Sequence, residues 1–276
     1  MKIFIDTARI DEIEKALSWG IVDGVTTNPS LIKSALDFYK QKGENILMED
    51  YIEKLLKIVG NRPVSLEVIS SDFESMVREG KTLFEKFNGI NNNVVVKVPI
   101  STLIDFKDEK EFDGIKTINE LSKNRIPVNA TLIMSPNQAL LAAKSGARYI
   151  SPFAGRVDDL LRKRLKISFE KEDYYPYEGF KINEKLISDD GVISGVDLVK
   201  RCVDLIKIYG FECEVIAASV RNKRQVMELI ETGVHIATIP FNVLKDMVVH
   251  EKTIEGMKKF IEDTVFEYKE LFNKFS

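Results

Sequence analysis

A chain of 276 residues with 44% hydrophobic and 30% charged side chains is ordinary globular material, enough for one large domain or two small ones, and nothing in it suggests disorder. Its 40 basic and 43 acidic groups leave a net charge of −3, so there is no basic field for a nucleic acid or an anionic membrane, and anionic small molecules remain as charged partners. Two histidines, His235 and His250, without a cysteine cluster argue against a zinc site, and no apolar stretch approaches the length of a membrane span. Cys202 and Cys213 are the only cysteines and the chain opens on an apolar run, which makes the cytoplasm the expected compartment.

The first apolar run covers residues 3–5 and is followed by Ile10, Ile13, Ala16 and Leu17 at helical spacing before Gly20. Further runs cover 24–27, 64–69, 94–98, 128–132, 149–151, 215–218 and 235–239, with amphipathic stretches between them. One such stretch opens on Ser135-Pro136-Asn137-Gln138, a cap with glutamine at its fourth position, and ends at Gly146. Strand-then-helix repeated eight times in this length predicts an α/β protein, a (β/α)₈ TIM barrel rather than an open sheet. Seven of the eight prolines (Pro29, Pro63, Pro99, Pro127, Pro136, Pro152, Pro240) fall at or just beyond strand ends, where no ladder hydrogen bond is lost. No Gly/Ser tract divides the chain, so residues 1–276 read as one domain.

Two stretches break the rhythm. Residues 100–113 are charge-rich and read as a solvated loop. An insertion after the sixth strand, at about 161–195, carries Phe169, Tyr174, Tyr175, Pro176, Tyr177 and Phe180; its aromatics either pack down on the barrel or form a lid or subunit contact. At about 251–276, Ile254, Met257, Phe260, Ile261, Val265, Tyr268 and Phe272 form an apolar stripe on a C-terminal helix, to be buried across the barrel or on a neighbouring subunit.

Lys97 lies inside Val94-Val95-Val96-Lys97-Val98-Pro99. An amine there either snorkels to solvent or is kept for chemistry, since desolvation favours the neutral form that attacks carbonyls. Barrel enzymes carry their chemistry at the C-terminal ends of the strands. Here the runs end in Asp6; Thr26, Thr27 and Asn28; Glu67; Lys97; Asn129 and Thr131; Ser151; and Ser219 with Arg221. Serine, threonine and asparagine at such turns also suit helix caps, and Asp6 suits the cap of the first helix. Glu67 differs, because Ser65-Leu66-Glu67-Val68-Ile69 puts a carboxylate in an apolar strand, where an uncompensated charge is costly. Two carboxylates and one lysine at the same barrel mouth are hard to explain as structure.

Phe4-Ile5-Asp6-Thr7-Ala8, Gly24-Val25-Thr26-Thr27-Asn28-Pro29-Ser30-Leu31, Ser65-Leu66-Glu67-Val68, Val96-Lys97-Val98-Pro99, Val128-Asn129-Ala130-Thr131-Leu132, Ser151-Pro152-Phe153-Ala154-Gly155-Arg156 and Ala218-Ser219-Val220-Arg221-Asn222 resemble the transaldolases in order and content. The resemblance runs from the first strand to the seventh, and the two long insertions depart from the small members of that family. It implies a metal-independent, cofactor-free enzyme of the pentose phosphate pathway. A dihydroxyacetone unit would pass from a ketose phosphate to an aldose phosphate through a Schiff base on Lys97.

By the same resemblance Asp6 moves the proton of the C4 hydroxyl, and Glu67 with Thr131 holds a water and shuttles protons. Thr26, Asn28, Asn129 and Ser151 contact the three-carbon fragment. Arg156, Ser219 and Arg221 bind phosphate, although an arginine in such a turn is also an ordinary surface residue. A fructose 6-phosphate aldolase, which releases free dihydroxyacetone, is the nearest alternative; that branch resembles Gln and Tyr where this chain has Glu67 and Phe153. A sugar-phosphate-binding barrel without catalysis would need the phosphate groups but not Lys97, Asp6 and Glu67 together. Homo-oligomers are expected, as dimers or as rings of five or ten.

Overall fold

In a computed structural model, residues 1–44, 46–105 and 110–273 are described. Eight parallel strands close into a barrel: β1 (Lys2–Asp6), β2 (Gly24–Thr26), β3 (Val64–Glu67), β4 (Val94–Pro99), β5 (Val128–Ile133), β6 (Tyr149–Pro152), β9 (Glu214–Ala217) and β10 (Ile236–Ile239), with β7 (Lys181–Ile182) and β8 (Lys185–Leu186) forming a separate two-stranded hairpin. Around the barrel, β1 pairs with β10 and β2, and each other strand pairs with its two neighbours, so the predicted (β/α)₈ TIM barrel is present. The helices between strands are α1 (Ile10–Ser18), α2 (Pro29–Gln41), α3 (Met48–Val59), α4 (Phe73–Phe87), α5 (Asp113–Lys123), α6 (Pro136–Lys144), α7 (Ala154–Leu165), α8 (Gly195–Tyr209) and α9 (Lys223–Glu231), and α10 (Phe241–Asp246) follows the last strand.

Two cores follow from the period of two along each strand. Ile5, Val25, Val64, Val96 and Val128 point outward into a continuous layer shared with the helices. Phe4, Val95, Tyr149, Ile216 and Ile236 point inward and plug the barrel. Gly24 belongs to that plug: a Cβ there would come within 2.6 Å of the Phe4 ring, so only glycine lets β2 close beside it.

The cap expected at Ser135 is present, and the structure adds others. Ser135 Oγ accepts from Gln138 N while Gln138 Oε1 accepts from Met134 N, and Asn28, Asp72, Ser194 and Asn222 cap their helices in the same manner.

Several boundaries differ from expectation. The third run stops at Glu67, and Ile69 is exposed because Glu79 captures the amides of Ile69 and Ser70. The stretch expected as a solvated loop begins buried at Ile100 and Thr102, because Ile100 N bonds to Thr131 O and keeps the chain on the sheet edge; residues 106–109 lie outside the described residues. Helix α7 persists to Leu165 before a left-handed Lys166, so the irregular segment runs over 167–193.

Tyr175 of that segment is buried and Tyr177 and Phe180 pack on the core, the docking arrangement of the two expected. The C-terminal stripe forms two helices, α11 (Glu251–Glu262) and α12 (Phe266–Asn273), where one was expected. The break comes at Thr264, whose hydroxyl bonds back to Phe260 O in competition with a continuing helix. Neither helix lies across the barrel: Phe260 and Phe266 are each 71% exposed. Among the described residues no helix is long and apolar enough to cross a membrane.

Candidate functional site

Above the apolar plug, the inward positions turn polar toward the C-terminal ends of the strands. Lys97, one pleat beyond Val95 on β4, is only 4% exposed. Its Nζ lies 3.1 Å from Glu67 Oε2 on the neighbouring strand, directly opposite in register, and donates to Thr27 O at 3.1 Å. The Phe153 ring centre is 6.0 Å from the same nitrogen. Buried charges need partners, and this amine has a carboxylate, a carbonyl and an aromatic face.

Asp6 ends β1 and accepts a 2.7 Å hydrogen bond from Thr26 Oγ1. Burial pushes the Asp6 carboxyl above its ordinary value, and the Lys97 ammonium and the Thr26 hydroxyl oppose that rise. Asp6 thus shares a field with Lys97 without capping α1, whose cap position, Arg9, makes no side-chain cap bond.

On the facing wall, Ser151 Oγ donates to Asn129 Oδ1 at 2.7 Å and Asn129 Nδ2 donates to Ser65 Oγ at 3.1 Å, a buried chain across β6, β5 and β3. Beyond it Thr131 is fully buried, and its hydroxyl makes no hydrogen bond to another described residue. Buried hydroxyls are almost always paired, so this one is available to a bound molecule. The next residue, Leu132, has φ 59° where the β5–β6 register shifts, a bulge that re-aims the strand end beside Thr131. Asn28 has two uses: its Oδ1 caps α2 on Leu31 N at 2.9 Å, while its amide nitrogen makes no hydrogen bond to another described residue.

The predicted phosphate residues come together where the β6–α7 and β9–α9 turns meet. Phe153 bridges to Ala218, and Gly155 N donates to Ser219 O at 3.2 Å. A Cβ on Gly155 would come within 2.3 Å of both Arg221 Nε and Ser219 O, so glycine is what allows the two turns to touch. Ser219 has φ 60°, an uncommon left-handed turn for a non-glycine residue. Arg221 is largely buried, with Nη2 donating to Asp159 Oδ2 at 2.8 Å. Arg156 is exposed and stacks over Phe153 at 5.6 Å. At the start of α9 the Gln225 amide is taken by Asn222 Oδ1 and the Arg221 amide by Gln225 Oε1, so part of this N-terminus is closed by its own capping box.

A family model for Transaldolase/Fructose-6-phosphate aldolase matches residues 3–274. The chain belongs to that family. Among curated relatives, a "Probable transaldolase" of Hydrogenobaculum sp. (strain Y04AAS1) is 41% identical over 264 residues, covering 95% of this chain and 96% of that protein. A "Probable transaldolase" of Thermoplasma acidophilum is 39% identical over 263 residues, covering 95% of each chain. A third, from Clostridium perfringens (strain 13 / Type A), is 38% identical over 274 residues, covering 99% of this chain and all of that protein.

Sequence reasoning passed over three residues of this family member, two in the same inward layer of the barrel and one on a helix outside it. Ser65 and Thr238 stand among apolar neighbours, two residues before Glu67 and two after Ile236, so the period of two would have found them; Thr238 Oγ1 lies 2.5 Å from Thr26 Oγ1. Asp159 carried no such signal, because it lies on α7 and reaches Arg221 only through the fold. Among the described residues, no three His, Cys, Asp or Glu side chains lie together as metal ligands would.

Proposed function

We propose that this chain is a transaldolase that moves a dihydroxyacetone unit from a ketose phosphate, sedoheptulose 7-phosphate or fructose 6-phosphate, to glyceraldehyde 3-phosphate or erythrose 4-phosphate. The observation that carries the reading is a buried amine, Lys97, in contact with one carboxylate and within the field of a second. Lys97 Nζ passes a proton to Glu67 and attacks the C2 carbonyl of the ketose. Loss of water from the carbinolamine leaves a protonated imine, with Glu67 and the unpaired Thr131 hydroxyl moving the protons. The imine draws the electron pair of the C3–C4 bond as Asp6 takes the C4 hydroxyl proton, and an aldose phosphate departs. The enamine left on Lys97 then adds to the second aldose phosphate, Asp6 returns its proton, and hydrolysis frees the amine. Acid–base help of this kind is worth about 10²- to 10⁴-fold.

The Thr26, Asn28, Asn129 and Ser151 side chains line the three-carbon fragment, and Arg156, Ser219 and Arg221 take the phosphate, a guanidinium matching it in shape and charge. A fructose 6-phosphate aldolase would run only the first half and then protonate the enamine. Phe153, facing Lys97, has no hydroxyl to supply that proton, which supports transfer over release.

The test is borohydride reduction in the presence of fructose 6-phosphate, with the adduct mapped and turnover followed with and without erythrose 4-phosphate. An adduct on Lys97, with product only when acceptor is present, is the expected result. No adduct sinks the assignment, and rapid release of dihydroxyacetone without acceptor gives the aldolase.

We place the enzyme in the pentose phosphate pathway and the cytoplasm, working without cofactor or metal as one domain within a homo-oligomer. The exposed apolar residues of α11 and α12 support the last point. On a second copy they would enter the apolar groove of about 650 Å³ between α2 and α4, lined by Ile32, Leu36, Val68, Ile69 and Leu83. Ending the chain at His250 should lower the oligomeric mass measured by light scattering; unchanged mass would refute this contact.

A further inference from the structure

The segment between α7 and α8 is tied to the phosphate turn at two independent points. Asn222, the residue after Arg221, donates from Nδ2 to Glu172 O at 3.0 Å. From below, Arg162 is only 3% exposed and lies against the Phe169 and Tyr175 rings at 4.9 and 5.3 Å. Its Nη2 donates to Asp173 O at 2.6 Å while Nη1 lies 3.6 Å from Asp159, the carboxylate that holds Arg221. The turn closes on itself through Glu170 N to Asp173 Oδ2 at 2.8 Å and Asp173 N to Glu170 O at 3.1 Å, which turns the Asp173 carboxylate inward. One network therefore sets the position of both the Arg221 guanidinium and the turn over 170–173.

Lys171 sits on that turn, one residue before the Glu172 carbonyl that Asn222 holds. It is exposed and has no ion-pair partner among the described residues. Its ammonium acts on the Asp6 carboxyl in the barrel mouth and stabilises the ionised form, as Arg221 does. A cation on a turn that Asn222, the residue after Arg221, holds through Glu172 O is placed for an anion arriving at that rim. We propose that Lys171 is a third cation of the phosphate subsite, binding the phosphate of the open-chain sugar phosphate together with Arg221 and Arg156. This rests on the transaldolase reading above and adds to it a residue outside the seven motifs that carry the family resemblance.

The test compares Lys171→Met and Lys171→Arg with the unaltered chain in two ways. Binding of inorganic phosphate is titrated calorimetrically, and KM for fructose 6-phosphate is measured beside the borohydride-trapped yield with unphosphorylated dihydroxyacetone. In the Met variant, phosphate affinity should fall and KM rise about fivefold, a surface-exposed charge contact in size. The dihydroxyacetone adduct should be unchanged, kcat should stay near that of the parent, and arginine should restore binding. Unchanged phosphate affinity, or an equal loss with dihydroxyacetone, overturns the role of Lys171. Failure of the unaltered chain to trap fructose 6-phosphate on Lys97 would instead overturn the transaldolase reading, while the phosphate titration still decides Lys171.

Discussion

Lys97 on β4 and Arg221 in the β9–α9 turn are each a largely buried cation beside one carboxylate, at 3.1 Å from Glu67 and 2.8 Å from Asp159. The resemblance ends at the proton. An ammonium can give its proton to the partner carboxylate and become a nucleophile, whereas a guanidinium stays charged at any working pH and can only bind. The two pairs are also built differently. Glu67 and Lys97 sit opposite each other on adjacent strands, where the barrel register fixes their distance. Asp159 and Arg221 come from α7 and the β9–α9 turn, and need Gly155 to let those turns meet. In the proposed enzyme, reaction chemistry would rest on the rigid sheet, and recognition on loops that can vary.

The sharpest way to break this comparison is Lys97→Met, which should abolish both the borohydride adduct and turnover while inorganic phosphate still binds. Next, Glu67→Gln keeps the shape of its pair and removes the proton acceptor. Adduct formation, followed by quenched-flow trapping, should slow about 100-fold with little change in phosphate affinity.

The matching change at the other end, Asp159→Asn, should leave adduct formation with dihydroxyacetone intact. It should raise KM for the sugar phosphate about tenfold, because the guanidinium loses a charged partner that orients it. Equal loss with both substrates would show that the two pairs are not separable.

The smallest effect concerns Asp158, beside Asp159. Burial pushes its carboxyl up to about 7 from 3.8, opposed by the Gly195 amide and by Arg162. Between those values the folded chain binds more protons than the unfolded one, so stability should fall as pH rises from about 4 to about 7. Thermal melts of Asp158→Asn should show a flatter dependence over that window, with substrate KM unchanged.

Much of this was legible in the chain itself. Eight apolar runs at regular spacing dictate the barrel, because strands buried on both faces must be apolar and helices must show an amphipathic stripe. The runs also expose their exceptions: Glu67 and Lys97 are conspicuous where every neighbour is apolar, and the period of two then aims both side chains inward. What the one-dimensional pattern could not hold is pairing between elements far apart in sequence. The Asp159–Arg221 contact, the Arg162 clamp beneath the turn over 170–173 and the continuous Ser151–Asn129–Ser65 chain depend on how loops pack after the barrel has closed.

The C-terminal stripe marks the same boundary. Its residues announce a buried face, but where that face goes is a question of which surfaces meet, and the barrel of one chain leaves it exposed. The sequence by itself determined the architecture, the mouth and the lysine, since local periodicity and the cost of burying charge are written residue by residue. Only the tertiary structure decided which carboxylate serves which cation, because that depends on distances between residues that the chain order keeps apart.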